Sequence, residues 1–243
     1  MKHLANLLMQ LTVAGVLAMA GHAQAADTPA KPGAVTAIDI LLEPDATMLR
    51  HADANNARLR KVFPNGFALD AAHRPHITML QCFVNTADLD KVHAAAGEVI
   101  ARANVTTLKL EAVKFYYAPG GAVGVAGIVA TPTPAIIKLQ ADIIAAVKPF
   151  MVETGTIGAF TAPHDDPALD AALIQYVSTF VAKQAGDNFN PHVSTGVAPK
   201  EYLDKMLAEP FKPFTFSPAG AAVYQLGPFG TAAKELKQLK LTP

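Results

Sequence analysis

The chain of 243 residues carries 20 Lys and Arg side chains against 20 Asp and Glu side chains, so its formal net charge is zero. A neutral balance argues against tight binding of long nucleic acid, whose affinity comes largely from basic surface, but it permits a small anion held at one place. The single cysteine, Cys82, excludes an intramolecular disulfide and a cysteine-rich structural zinc site.

The first 25 residues have the features of a secretory signal peptide. Lys2 precedes an uncharged apolar run, and Ala23 and Ala25 supply the small residues that a signal peptidase needs. The apolar run is shorter than a bilayer-spanning helix, which favours removal of the leader over a retained anchor helix. We therefore predict cleavage after Ala25 and a periplasmic or secreted protein that begins at Ala26 and has no further membrane partner.

The mature chain is predicted to contain a flexible lead-in over residues 26–34 and one two-lobed domain over residues 35–243. Hydrophobic periodicity and turn residues indicate the elements of its first part. In chain order these are a strand over 35–42, a helix from the N-cap Asp45 to about Val62, a strand over 76–84, a helix from Asn85 or Thr86 to about Ala103, a hairpin of strands 107–117 and 122–131, and a helix from the N-cap Thr133 to just before Pro149.

Residues 152–187 have no counterpart in the first half and are interpreted as an insertion. A Gly-rich loop there leads into a helix that Asp165-Asp166-Pro167 open and that ends near Gln184. The apolar face predicted for this helix consists of Leu169, Leu173, Val177 and Phe180. A strand over 190–198, a short helix over 200–208 and a closing strand or hairpin over 214–226 complete the prediction.

Two of the eight histidines have a hydroxyl residue two places later, in the pairs His76–Thr78 and His192–Ser194. Both histidines also follow a proline. Chance would provide about one such pair at ordinary Ser and Thr usage, so a single copy would carry little weight. Two copies of the same pattern, a proline, a histidine, an aliphatic residue and a hydroxyl residue, indicate that the two segments take part in one function.

The spacing has a physical consequence, because residues i and i+2 of a strand project from the same face. Two such strands side by side would gather two imidazoles and two hydroxyls in one cavity. Since the ordinary histidine pKa is near 6.5, one ring can be neutral and take a proton from water while the other is charged and gives one to a departing oxygen. Thr78 and Ser194 would donate hydrogen bonds to phosphate oxygens, and the scheme needs no metal or other cofactor.

At Pro75-His76-Ile77-Thr78 and Pro191-His192-Val193-Ser194 the sequence resembles the two-histidine (2H) phosphoesterase superfamily, the group of the bacterial RNA 2',3'-cyclic phosphodiesterases also called 2'-5' RNA ligases. The resemblance implies an α+β fold with two pseudo-symmetric lobes, in which antiparallel sheets and flanking helices surround a central cleft. It also implies metal-independent hydrolysis of a small 2',3'-cyclic or 2'-5' phosphodiester, and we expect the protein to be a monomer.

We carry over as catalytic the four motif residues, which are His76, Thr78, His192 and Ser194. The insertion over 152–187 is longer than this family leads us to expect, and the export signal is atypical for members that process RNA. The physiological substrate therefore stays open.

Other residues have two interpretations each. His164-Asp165-Asp166 resembles a metal site, but an acidic pair before Pro167 is ordinary helix capping, which we favour. His73-Arg74 is as consistent with a cation at the mouth of the cleft as with an exposed loop. The aromatic run Phe115-Tyr116-Tyr117 is compatible with base stacking, although aromatic residues in a strand more often fill the core.

Phe229 has the same two interpretations as that run. Cys82, which has no nearby base in sequence, is interpreted as a small buried hydrophobic residue rather than a catalytic thiol.

Two other functions compete with the phosphodiesterase. In a non-catalytic exported binding module the same fold would hold an anionic nucleotide-like ligand, with Ser194 in place of the commoner threonine. In a metal-dependent hydrolase His76, His192 and acidic residues would bind the metal, and a chelator would abolish activity. Turnover separates the first alternative from catalysis, and indifference to a chelator separates the second.

Overall fold

The structure, a computed structural model, describes residues 33–163 and 167–241. The predicted signal peptide and the His164-Asp165-Asp166 group lie outside the described residues. Within the described ranges, no helix has the length and apolar character needed to cross a membrane.

The described residues contain nine strands and six α-helices. The strands are β1 (Val35–Pro44), β2 (Ile77–Asn85), β3 (Leu110–Gly120), β4 (Val123–Ala130), β5 (Met151–Val152), β6 (His192–Pro199), β7 (Phe214–Phe216), β8 (Pro218–Leu226) and β9 (Ala232–Gln238). The helices are α1 (Ala46–Val62), α2 (Leu89–Ala103), α3 (Pro134–Val147), α4 (Pro167–Ser178), α5 (Phe180–Gln184) and α6 (Lys200–Leu207).

Two of the helices begin at the N-caps that the sequence predicts. The Asp45 carboxylate accepts hydrogen bonds from the first backbone N–H groups of α1, and the Thr133 hydroxyl accepts one from the N–H of Ile136 in α3. These side chains satisfy donors that have no partner within the helix, which fixes where each helix starts.

All strand pairs are antiparallel, and eight strands follow one path in the order β7-β3-β4-β6-β2-β1-β8-β9, with β5 added beside β2. A single residue pair, Ile77 with Val193, joins β2 to β6. The sheet is therefore two lobes of antiparallel strands that meet at one narrow seam, curled into a half-barrel. This architecture confirms the predicted α+β fold.

The two lobes repeat each other at the level of register. In the first lobe the ladder of β1 and β2 shifts between Ile40 and Leu41, just beside Thr78. In the second lobe the ladder of β4 and β6 shifts between Ala126 and Gly127, just beside Ser194. Each hydroxyl of the two motifs thus precedes a β-bulge, which gives the pseudo-twofold relation a concrete form.

Alternation along β1 separates the core from the opposite face of the sheet. Ile38, Ile40 and Leu42 are fully buried in the main core, where α2 and α3 contribute Val92, Ile100, Ile136 and Ile143. The intervening residues Ala37, Asp39 and Leu41 therefore point to the other face. We call this second surface the cleft face, because it also carries the four motif residues.

The segment that we interpret as an insertion covers one end of the cleft face. Phe160, Leu173 and Val177 pack with Ala37 and Phe83 of the first lobe. The predicted single helix is divided after Ser178, where the hydroxyls of Ser178 and Thr179 donate to the carbonyls of Ile174 and Gln175. Such back-bonding bends or interrupts helices.

Three sequence expectations need correction. Leu169 is 41% exposed and does not join the buried face of α4. The short strand β5 and the closing strand β9 were not predicted; β9 alternates buried and charged residues too weakly to stand out. The predicted closing strand or hairpin over 214–226 is instead two strands that do not pair with each other, because β7 pairs with β3 and β8 pairs with β1 and β9.

Candidate active site

The seam brings the four motif residues together. Because Ile77 pairs with Val193 in antiparallel register, His76 lies across from Ser194 and Thr78 lies across from His192. Each imidazole is therefore beside the hydroxyl of the other motif as well as the hydroxyl of its own. Sequence reasoning singled out the four residues, and the strand pairing supplies their convergence.

Both imidazoles are anchored in the same way. Nδ1 of His76 donates to the carbonyl oxygen of Arg74 at 2.5 Å, and Nδ1 of His192 donates to the carbonyl oxygen of Asn190 at 2.8 Å. In each motif the acceptor lies two residues before the histidine, with the proline between. Since the bond on Nδ1 fixes the tautomer and the ring, Nε2 of each histidine is left for chemistry.

A fifth polar residue at the site, Asp39 of β1, was not predicted. Its carboxylate is fully buried. Oδ2 accepts hydrogen bonds from Thr78 Oγ1 at 2.8 Å and from Gln81 Nε2 at 2.9 Å. The same oxygen lies 3.3 Å from His76 Nε2. The only signal in the sequence was one acidic residue in the middle of an otherwise aliphatic strand.

The two histidines have pKa values shifted in opposite directions. Burial tends to lower the pKa of His76, but the adjacent Asp39 carboxylate and the Arg74 carbonyl outweigh burial and raise the pKa above the ordinary value. Burial is the largest influence on the pKa of His192 and lowers it. The Asn190 carbonyl opposes burial, the positive charge of His76 lowers the pKa further, and Asp39 has the smallest effect, which raises it. His76 is thus the ring that favours its proton, and His192 is the ring that favours the neutral form.

Tyr116 forms one wall beside His192. Its ring centroid lies 5.1 Å from that of His192, with 51° between the ring planes. Alternation in β3 puts Phe115 and Tyr117 on the opposite face, where both pack with buried residues of the second lobe. Two residues of the aromatic run, Phe115 and Tyr117, therefore contribute to packing, and the third, Tyr116, lies at the site.

Tyr176 of α4 reaches the same region. Burial raises the pKa of its hydroxyl, and the negative charges of Asp39 and Tyr116 raise it further. The residue as a whole is 40% exposed. The segment over 152–187 thus brings a tyrosine within electrostatic range of Asp39 and also covers one end of the cleft face.

The hydroxyls of the two motifs differ in availability. The Thr78 hydroxyl donates to Asp39, whereas the Ser194 hydroxyl has no hydrogen-bond partner in the part of the chain that the structure describes. Ser194 is therefore free to donate to a bound anion, while Thr78 must exchange its acceptor to do so.

The side chains of His73 and Arg74 contact residues outside the immediate site. Arg74 is exposed and its guanidinium is 3.4 Å from Glu43, while His73 stacks on Phe67. Phe229 is exposed, with a backbone φ of 60°.

Cys82 is buried in the main core as predicted, and burial raises the pKa of its thiol. Across residues 33–163 and 167–241, no three His, Cys, Asp or Glu side chains are grouped as a metal ion would require.

The model of the 2'-5' RNA ligase superfamily matches residues 50–226, a range that includes both motifs. The chain therefore belongs to this superfamily, the two-histidine phosphoesterases. Membership indicates an enzyme that acts on phosphoesters, by phosphodiesterase or ligase chemistry.

Three solved structures are similar to this chain. TT0787 of Thermus thermophilus is 14% identical over 84% of this chain and 97% of its own, with a TM-score of 0.50. LigT of E. coli, complexed with 3'-AMP, is 13% identical over 86% of this chain and 100% of its own, with a TM-score of 0.42. Usb1 of Kluyveromyces marxianus with uridine monophosphate is 10% identical over 82% of this chain and 97% of its own, with a TM-score of 0.38. The comparison with curated proteins gave no match.

Proposed function

We propose that this protein is an exported, metal-independent phosphodiesterase that hydrolyses small 2',3'-cyclic or 2'-5' phosphodiesters. The observation that carries the proposal is the pair of anchored histidines at the seam, with pKa values displaced in opposite directions. General acid and base catalysis needs such a pair, one protonated and one neutral at the same pH.

In this mechanism His192 is the base and His76 is the acid. Nε2 of neutral His192 takes a proton from water as the water oxygen forms a bond to phosphorus. The bond between phosphorus and the leaving ribose oxygen breaks, and Nε2–H of His76 gives its proton to that oxygen. The reaction leaves His192 protonated and His76 neutral, and exchange with solvent restores both.

The geometry around His76 suits proton donation. Oδ2 of Asp39 already accepts from Thr78 and Gln81, and His76 Nε2 lies 3.3 Å away as an ion pair rather than in a well-aligned hydrogen bond. The proton on Nε2 therefore stays available to a leaving oxygen. The Ser194 hydroxyl donates a hydrogen bond to a phosphate oxygen of the substrate. The Thr78 hydroxyl does the same after it turns away from Asp39.

The size and charge of the substrate follow from the neutral surface of the chain. With equal numbers of basic and acidic residues, the protein lacks the broad positive field that holds a long phosphate backbone. We infer a substrate of nucleotide size whose single phosphodiester is recognised at the seam, and we infer that the protein acts as a monomer.

The experiment measures hydrolysis of a panel of nucleoside 2',3'-cyclic phosphates and 2'-5' dinucleotides with EDTA present. His76→Ala and His192→Ala should each lose at least about 100-fold in kcat/KM, the scale of one acid or base. His73→Ala, which removes a histidine outside the site, is the matched control and should retain activity. Binding of the panel by calorimetry without turnover would instead identify a binding module, and loss of activity with EDTA would identify a metal enzyme.

Export is tested separately. We propose that the leader is removed after Ala25, so N-terminal sequencing of protein recovered outside the cytoplasm should begin at Ala26. Recovery of the intact leader in a membrane fraction would show a retained anchor.

A further inference from the structure

The buried carboxylate of Asp39 is unusual for a residue with a purely structural role. It lies in β1 between Ile38 and Ile40, and its side chain is fully buried. Burying a carboxylate is unfavourable unless a cation and hydrogen-bond donors face it. Among the described residues no Lys or Arg side chain pairs with it, and the facing cationic group is His76.

The contacts direct its charge toward the site. Oδ2 accepts hydrogen bonds from Thr78 and Gln81 and lies near His76 Nε2. Oδ1 has no hydrogen-bond partner among the described residues. Every printed contact of the Asp39 side chain is thus with the polar residues of the cleft face, which is consistent with a role at the seam.

The two lobes differ at this position. Asp39 and Gln81 form the second pair beyond the register shift of the first lobe, and the equivalent pair of the second lobe is Val125 with Val197. The Pro-His motifs and their Nδ1 anchors are alike in both lobes, so they do not distinguish one histidine from the other. The first lobe has the acidic Asp39 where the second lobe has the apolar Val125, so this position makes the surroundings of the two histidines different.

We propose that Asp39 is a positioning residue that acts through His76, 3.3 Å away, and keeps that ring protonated, which makes His76 the acid and leaves His192 as the base. The catalytic meaning of this inference rests on the proposed function. The arrangement itself is a property of the resting protein and can be measured without a substrate.

The other titratable groups around the pair are Tyr116 from β3, Tyr176 from α4 and Cys82 from β2. Burial raises the pKa of each of them, and Asp39 adds to this effect at Tyr176 and Cys82. All three therefore stay neutral where histidines titrate. The ionisable groups whose interactions distinguish the two histidines are therefore Asp39, His76 and His192 themselves.

The test is a histidine titration by NMR on the mature wild-type protein and on Asp39→Asn. In the wild type, the midpoint of His76 should lie above that of His192. The amide oxygen introduced by the substitution can still accept from Thr78 and Gln81, so the variant removes the charge and little else, and the midpoint of His76 should fall.

Asp70→Asn is the matched control, because Asp70 contacts His73 outside the site, and it should leave both midpoints unchanged. A wild-type His76 that titrates at or below His192 would overturn the inference even if Asp39→Asn did not fold. An unchanged His76 midpoint in a folded Asp39→Asn protein would overturn it too.

The kinetic arm uses the same variants. In Asp39→Asn the alkaline limit of kcat/KM should move to lower pH, and activity above the new limit should fall about tenfold per pH unit, as for loss of one required proton. An alkaline limit that does not move in an active variant would contradict the role of Asp39. Absence of turnover in every protein would reject the proposed function, while the NMR titration would still decide the relation between Asp39 and His76.

Discussion

The rings of Tyr116 and His192 meet across Gly127, which has no side chain to separate them. Gly127 pairs with Tyr116 on one side and with Ser194 on the other. A Cβ atom at this position would lie 3.0 Å from the carbonyl oxygen of Val193 and 3.5 Å from Cδ2 of His192. The position therefore sets how closely β4 approaches the strand that carries His192, the proposed base.

Gly127→Ala should damage activity more than stability. The added methyl group must displace the backbone at Val193 by a few tenths of an ångström, and His192 moves with it. Since a misplacement of about 1 Å costs about 100-fold, we expect kcat to fall about tenfold. Steady-state kinetics and thermal unfolding measure the two effects, and Gly97→Ala, which meets only a side chain at 4.0 Å, is the control. An active Gly127→Ala protein with unchanged kcat would show that this spacing is unimportant.

The profile of kcat/KM against pH should be bell-shaped with a broad maximum. Activity requires neutral His192, so it is lost as pH falls through the lowered pKa of that ring. Activity also requires protonated His76, so it is lost as pH rises through the raised pKa of that ring. The two limits lie on either side of the ordinary histidine value, and kcat/KM measured across pH checks this. A profile that rises to a single alkaline plateau would mean that no protonated histidine is needed.

Ser194→Ala should reduce kcat/KM by about 100-fold, the scale of one lost donor to a developing oxyanion. Its hydroxyl has no competing partner among the described residues, so the loss should leave both pH limits where they were. Thr215→Ala, an exposed strand hydroxyl far from the seam, is the control. Retention of full activity by Ser194→Ala would remove this residue from the mechanism.

A buried polar network behind β6 should contribute to stability. Asn55 of α1 donates to the hydroxyl of Thr195 at 2.7 Å and accepts from Arg58 at 2.6 Å. Thr195→Val leaves the buried Asn55 donor without its partner, which costs about 1–3 kcal/mol. Urea unfolding should show this loss, while Thr215→Val should show little change. Equal stability of the two variants would mean that the network adjusts without cost.

The sequence was sufficient for the elements with strong local signals. The Pro-His-x-hydroxyl frames marked His76 and His192, and the caps Asp45 and Thr133 marked the starts of two helices. These features depend on residues close together in the chain, which is why pattern and propensity reveal them.

What escaped prediction depends on contacts between distant residues. Asp39 lies far before His76 in the chain, and only the pairing of β1 with β2 brings its carboxylate to the imidazole. The choice of Tyr116 over its two aromatic neighbours depends on the face that β3 presents, which a shift of one residue would reverse. The sequence of β9 alternates only weakly between apolar and polar residues, and it forms a strand because it pairs with the edge of β8.

The most direct measurement of the central claim compares two leaving groups. The 4-nitrophenolate group of a nitrophenyl phosphodiester leaves as a stable anion without protonation, whereas a leaving ribose oxygen needs a proton from the acid. If His76 is the acid and His192 the base, His76→Ala should lose at least about 100-fold on a nucleoside 2',3'-cyclic phosphate and far less on the nitrophenyl ester. His192→Ala should lose similar factors on both substrates. Equal losses for His76→Ala on the two substrates would contradict the assignment of the acid.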